Sequence, residues 1–173
     1  MEDSAVNQLC EGLRSENCKL VKLHLTECRL TSRCCSALSS ALSAPHSQLT
    51  ELNLSYNNME DSGVDQLCEG LRSENSKLEK LNLWSCGLTS RSSSSLSSVL
   101  SSPHSQLTKL DLRKNKLGDS GARQLCESLR TPDCKLKTLR LSANEISESE
   151  KRNLRSLQEE LNRTGRQLDI KIL

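Results

Sequence analysis

Nine cysteines and three histidines are the residues of this sequence whose types most readily do chemistry. Thiols and imidazoles hold transition metals, thiolates attack electrophiles, and paired thiols form disulfides. The spacings fit none of these roles. No C-x-x-C occurs, so a zinc site has no nucleus to build on. His46 and His104 sit at the same place in two P-H-S-Q-L segments, and turn chemistry accounts for both. His24 has no matched Cys or Asp partner and reads as a contact residue. The serines from Ser92 to Ser95 resemble a nucleophile store, but they fall on a helix and are expected on its exposed side. Asn53-Leu54-Ser55 and Asn162-Arg163-Thr164 match the glycosylation acceptor pattern, which matters only in a secreted chain. No phosphate-binding G-x-x-x-x-G-K-[ST] loop is present. The expectation is a chain with no catalytic residues, no metal and no cofactor.

The elements that position these residues are set by a repeat. The pattern L-x-x-L-x-L-x-x-N/C-x-L occurs five times: Leu20, Leu23, Leu25, Cys28, Leu30; then Leu49, Leu52, Leu54, Asn57, Met59; then Leu78, Leu81, Leu83, Cys86, Leu88; then Leu107, Leu110, Leu112, Asn115, Leu117; and Leu136, Leu139, Leu141, Asn144, Ile146. Each copy starts 29 residues after the last. A doubled period lies over it. MEDSAVNQLCEGLRSENCKL from Met1 returns with three changes from Met59 and with nine from Leu117, and LTSRCCSALSSALSAPHSQL from Leu30 returns from Leu88. Two repeat types therefore alternate, one marked by Cys28 and Cys86, the other by Asn57, Asn115 and Asn144.

The pattern converts directly into structure. Leucines two apart share one face of a short strand, expected near residues 22–26, 51–55, 80–84, 109–113 and 138–142. The Asn or Cys that follows sits where the chain turns inward, where an amide can satisfy backbone groups and a thiol does so more weakly. A helix comes next. Val64, Leu67, Cys68 and Leu71 fall at one helical phase, repeated by Val6, Leu9, Cys10, Leu13 and by Ala122, Leu125, Cys126, Leu129. Cys35, Leu38, Leu42 and Ser93, Leu96, Leu100 supply it in the alternate units. Asp61 or Ser62 is the expected helix cap, and Pro45, Pro103 and Pro132 stop helices before the next strand. No unit buries its leucines alone, so the strands must stack into a parallel sheet with helices behind. With strands about 4.8 Å apart and helices roughly 8–10 Å apart, the sheet takes the concave side. The expected fold is α/β, a curved horseshoe segment with a concave parallel sheet and convex helices.

The same geometry bears on the cysteines. Cys10, Cys68 and Cys126 share a phase two units apart, as do Cys28 and Cys86. Two units span about 10 Å even on the concave side, beyond the roughly 7 Å limit for a disulfide. Free buried thiols are the expectation. Composition points the same way: one Trp, one Tyr and no Phe leave the core to Leu.

Residues 1–146 form the five repeats, preceded by a half-repeat helix, and residues 147–173 read as a capping helix and strand. The helix is heavily charged but keeps Leu154, Leu157 and Leu161 for its inner face, and Leu168, Ile170 and Ile172 alternate as the closing strand. A first unit without its strand suggests part of a longer array, monomeric or weakly self-associating through that uncapped end. A net charge of +2 with both signs mixed argues against nucleic acid. No run of roughly 18 apolar residues could span a membrane, and the polar first 20 residues make no signal peptide, so a cytoplasmic location is expected.

Outward strand positions are left free by this fold. Within residues 22–26, 51–55, 80–84, 109–113 and 138–142 they carry five basic residues, Lys22, Lys80, Lys109, Arg113 and Arg140, and two acidic ones, Glu51 and Asp111. Trp84 has no structural reason to face water there and reads as a binding hot spot ringed by Lys80, Lys109 and Arg113. Asn82, Asp111, Arg140 and His24 share the face, with Tyr56 one strand over.

The alternating repeat with its N/C-x-L signature resembles the ribonuclease-inhibitor class of leucine-rich repeats. LNLSYNNMEDSGVDQLCEGL and LDLRKNKLGDSGARQLCESL look most like the C-terminal repeats of vertebrate NOD-like innate immune receptors, the large bony-fish group in particular. That resemblance implies a non-catalytic module, ligand-sensing or autoinhibitory, that binds another protein or other domains of the same receptor. The alternative is an enzyme inhibitor like ribonuclease inhibitor, which captures a basic enzyme with acidic surface. The basic lean of this concave face counts against it.

Overall fold

The computed structural model describes residues 1–173. It opens with α1 (Asp3–Leu13) and then alternates strand and helix: β1 (Lys22–His24), α2 (Cys35–Leu42, led by a 3-10 turn at Ser32–Cys34), β2 (Glu51–Asn53), α3 (Glu60–Leu71), β3 (Lys80–Asn82), α4 (Ser92–Ser101), β4 (Lys109–Asp111), α5 (Gly118–Leu129), β5 (Thr138–Arg140), α6 (Glu148–Arg163) and β6 (Asp169–Lys171). The strands form one parallel sheet in chain order. Register follows the repeat, Leu23 pairing with Leu52, then Leu81, Leu110, Leu139 and finally Ile170. Each helix packs on the next, α1 on α2 through α5 on α6. This is the expected α/β solenoid.

Between sheet and helices lies one continuous core made of Leu with small apolar residues. The helical phase read from the sequence is the buried one: Val64, Leu67 and Cys68 are fully buried, as are Leu38, Leu42, Leu96 and Leu100. Leu20 departs from its repeat. It is 39% exposed, whereas Leu49, Leu78, Leu107 and Leu136 are at most 3% exposed. Those four lie between two strands, and β1 has a neighbour on one side only.

The turns after the strands are stitched by the asparagines. Asn57 Oδ1 accepts from the N–H groups of Cys28 and Leu30 in the preceding unit, while its Nδ2 donates to the carbonyls of Leu25 and Leu54. Asn115 repeats this with Cys86, Leu88, Leu83 and Leu112. Asn144 bonds Leu117 N–H and the Leu112 and Leu141 carbonyls. Each asparagine thus completes the unit before it as well as its own. In the alternate unit the Cys86 thiol donates to Leu54 O at 3.2 Å.

Two details correct the sequence reading. The strands are three residues long rather than five, and just past β2, β3 and β4 the N–H groups of Ser55, Trp84 and Arg113 bond the side chains of Asn53, Asn82 and Asp111 two residues earlier. Asp61 does not cap its own helix, and neither does Ser62, for α3 has no side-chain cap. Instead Asp61 accepts from Thr89 N–H at 2.9 Å and from the Thr89 and Ser92 hydroxyls in the next unit. Asp3 holds Thr31 in the same way, and Asp119 accepts from Ser147 N–H at 2.7 Å.

These clamps predict the acid response. Burial alone would raise the Asp61 carboxyl, but its hydrogen bonds from Ser92 and Thr89 prevail and hold it below its ordinary 3.8. Asp3 is lowered against burial by its bonds from Thr31, and Asp119 by the Ser147 N–H. A carboxyl depressed in the folded state stabilises fully above its unfolded value and loses that contribution as pH falls through the folded value. The melting temperature is therefore expected to stay level from neutral pH to about pH 5 and drop below about pH 4. Asp61→Asn should flatten part of that drop in a series of thermal melts. A melting temperature that rises on acidification would contradict the clamps.

All nine cysteines are free thiols. Burial pushes Cys68 and Cys86 up to about 12, and Cys10 and Cys126 up to about 11. Limited alkylation followed by mass spectrometry should label the half-buried Cys18 and Cys28 first and Cys68 last. Cys68→Ser should cost about 1–3 kcal/mol, because a more polar group enters the apolar core without an assured partner. Rapid labelling of Cys68 in the folded protein would contradict the packing.

Candidate functional site

The three outward rows of the sheet do different work. At the N-terminal ends of the strands, in register, lie Lys22, Glu51, Lys80, Lys109 and Thr138. Glu51 sits 4.0 Å from Lys22 and 3.9 Å from Lys80. Its carboxyl is held below the ordinary glutamate range, first by the 2.9 Å hydrogen bond from His24 Nε2 and then by the two lysines. His24 therefore does have a carboxylate partner, one strand over. Lys109 is half-buried and forms no ion pair.

The middle row is His24, Asn53, Asn82, Asp111 and Arg140. Asn53 and Asn82 are not free of structural duty, since their amide oxygens accept from the N–H groups of Ser55 and Trp84. Asp111 is only 3% exposed. Arg113 wraps it with Nη2 at 2.6 Å and Nε at 2.9 Å, and Arg140 Nη1 approaches at 3.6 Å. A carboxylate taken this far from water needs such company. The hydrogen bond to Asp111 also raises the Arg113 pKa above its usual value, so that guanidinium is a permanent cation. Arg140 Nε is buried without a hydrogen-bond partner.

Beyond them the chain turns, and here the aromatic residues meet. Trp84 is half-buried rather than open to water. Arg113 lies over its ring at 4.3 Å from the centroid, and Tyr56 packs against it at 4.9 Å with the rings inclined at 52°. Tyr56 reaches across because its backbone is left-handed, φ 58°. Lys114 sits 5.6 Å from the Tyr56 ring. The result is a layered stack, Lys114, Tyr56, Trp84 and Arg113, anchored by Asp111. Each aromatic contact contributes about 0.5–1.5 kcal/mol beyond area burial, and cation–π pairs add a similar amount.

The structure thus brings Trp84, Arg113, Tyr56 and Asp111 together. Lys80 and Lys109 do not ring Trp84. They line a small cleft in the middle of the sheet with Asn82, Asp111, Arg113 and Arg140, and Arg113 is the side chain it shares with the aromatic stack. Ser93 is buried, as its helical phase with Leu96 and Leu100 implies, whereas Ser92 is buried against expectation, drawn in by Asp61. No group of three or more His, Cys, Asp or Glu is placed to hold a metal ion.

Family models described as leucine-rich repeats match residues 47–68, 77–99 and 105–126, each beginning just before or at the strand leucines of a unit. These units are leucine-rich repeats. Among curated proteins, the NACHT, LRR and PYD domains-containing protein 1a allele 1 of Rattus norvegicus is 58% identical over 45 residues, 26% of this chain and 4% of the relative. Protein 3 of the same series from Bos taurus is 51% identical over 45 residues, again 26% and 4%. The matched stretch is thus a small fraction of those relatives' length. Among solved structures, leiomodin-1 actin-binding site 2 superposes with a TM-score of 0.68 at 15% identity, covering 91% of both chains. The tropomodulin C-terminal domain of Caenorhabditis elegans gives 0.64 at 19% identity, covering 93% of this chain and 99% of that one. At those identities the two structures support the leucine-rich-repeat fold alone. No helix is long and apolar enough to cross a membrane.

Proposed function

We propose that this leucine-rich-repeat chain is a non-catalytic protein-binding module, the ligand-sensing or autoinhibitory repeat region of a cytoplasmic NOD-like receptor. The observation that carries the binding role is the Tyr56–Trp84–Arg113 stack on the sheet side, locked by Asp111. An aromatic surface held rigid before binding loses little entropy on contact, and Trp, Tyr and Arg are the residues that dominate interface energetics. The short, strong identity to NACHT, LRR and PYD proteins supports the receptor context. An inhibitor built to capture a basic enzyme would carry an acidic concave face. Here the outward positions within residues 22–26, 51–55, 80–84, 109–113 and 138–142 carry five basic and two acidic residues, a surplus of three positive charges, although the whole chain nets only +2.

Two experiments test the reading. Peptides selected from a random display library on the wild-type protein should lose binding to the Trp84→Ala and Arg113→Ala variants. Selected peptides indifferent to both changes would remove the sheet face from the function. Sequencing the transcript upstream of Met1 tests the receptor context: an in-frame nucleotide-binding loop supports it, and an in-frame stop codon directly before Met1 overturns it.

A further inference from the structure

The cleft beside the aromatic stack has its own chemistry. Lys80 and Lys109 stand side by side in register on β3 and β4, and Arg140 lies across β5. Only Asp111 and Glu51 offset them. Asp111 is already satisfied by Arg113, and Glu51 is shared among Lys22, Lys80 and His24. Lys109 has no carboxylate partner. The Arg140 guanidinium is held by a single 3.6 Å approach to Asp111, with Nε buried and unbonded. Three cations converge on a cleft with too few anions to neutralise them, and a buried donor without an acceptor is costly until one arrives.

We infer that this cleft receives the side-chain carboxylates of an extended acidic segment of a protein partner, while an apolar side chain of the same segment packs on Trp84. Spacing sets the pattern. Adjacent strands are about 4.8 Å apart, so the three cations span roughly 10 Å, too wide for one carboxylate and suited to two. Trp84 follows Lys80 by four residues, two of them past the end of β3, and Arg113 both lines the cleft and lies over the Trp84 ring. The partner segment therefore carries paired Asp or Glu with an apolar residue close by in sequence. The inference rests on the reading of this face as a binding surface and adds the charge and spacing of what it binds.

Trp84 is the sole tryptophan of the chain, so its emission reports directly on the site. The probes are a short peptide with leucine followed four positions on by two glutamates, its counterpart with two lysines, and a short single-stranded DNA. The glutamate peptide should change Trp84 emission saturably and bind more weakly as salt rises. Lys80→Glu and Lys109→Glu should each weaken it about tenfold or more. Arg152→Glu, on the exposed face of α6, should leave it unchanged, and Lys109→Gln gives a milder change should a reversal disturb folding. Equal binding of the lysine peptide, tighter binding of the DNA, or indifference to both lysine reversals would overturn the inference. If library-selected peptides need Trp84 and Arg113 but show no acidic pair and ignore the reversals, the acidic partner falls while the binding surface stands. If neither they nor the glutamate peptide needs Trp84, both fall.

Discussion

Asn115→Ala is expected to lower the unfolding free energy by about 3–5 kcal/mol, among the largest single-residue effects in the molecule. The amide is 5% exposed and joins two units. Its oxygen takes the N–H groups of Cys86 and Leu88, both at 3.0 Å, and its nitrogen serves the carbonyls of Leu83 and Leu112, both at 2.9 Å. Alanine removes all four partners at once and leaves the backbone groups buried, where each unsatisfied group costs about 1–3 kcal/mol. Water entering the vacated space recovers part of this, which sets the range. For a domain of this size the melting temperature should fall by roughly 10 °C, at about 2–4 °C per kcal/mol. Asn58→Ala is the control. That side chain is exposed and bonds only Glu60, so the change should stay within about 0.5 kcal/mol. Denaturant titration of both variants measures the difference. An Asn115→Ala protein within about 1 kcal/mol of wild type would mean that the turns hold themselves together without the amide ladder.

The ladder also shows what was legible in the sequence. Leucines recurring every 29 residues fix strand register, because in-register stacking is the arrangement that buries every copy on the same side. Asn57, Asn115 and Asn144 could be assigned to the inward turn for the same reason. What the repeat does not reveal is which neighbour a polar side chain serves. Asp61 lies where a helix cap belongs, yet it bonds Thr89 in the next unit, a contact 28 residues away that local capping rules cannot see. Gly70 is another case. A Cβ there would clash with the Ser39 carbonyl oxygen, so α2 and α3 approach more closely than any pattern of apolar residues indicates.

The site was legible in part. Trp84 and Arg113 differ by one repeat length, so their meeting follows from register alone. Asn53, Asn82 and Asp111 were counted as free surface, although Asn or Asp two residues before a turn is itself a signal for a side-chain-to-backbone bond. Tyr56 could not be placed from periodicity, since its position depends on a left-handed turn that breaks the alternation of the strand. Lys80 and Lys109 share the face with Trp84 but not its neighbourhood, because shared facing says nothing of distance along the strand.

That correction sharpens the expectation for the aromatic stack. Trp84→Ala and Arg113→Ala should each weaken binding of a library-selected peptide about thirtyfold or more, taking about 2 kcal/mol per interface anchor at 1.4 kcal/mol per decade. Stability should fall as well, but with the fold kept. Trp84 is packed against Tyr56 and Arg113 at 4.9 and 4.3 Å, so its removal forfeits contacts worth about 1–2 kcal/mol in the free protein. Arg113→Ala also strips Asp111 of its bidentate partner and leaves a nearly buried carboxylate to Arg140 alone. The two variants therefore differ in a testable way: Arg113→Ala should be the less stable of the two. Arg113→Lys keeps the charge but loses the planar fork and the stacking, so it should bind little better than alanine. Thermal melts and peptide titrations on the same preparations separate the two effects. Should Trp84→Ala unfold the protein at ordinary temperature while Arg113→Ala binds peptide like the wild type, the stack would be scaffold, and the binding surface would have to be sought elsewhere on the solenoid.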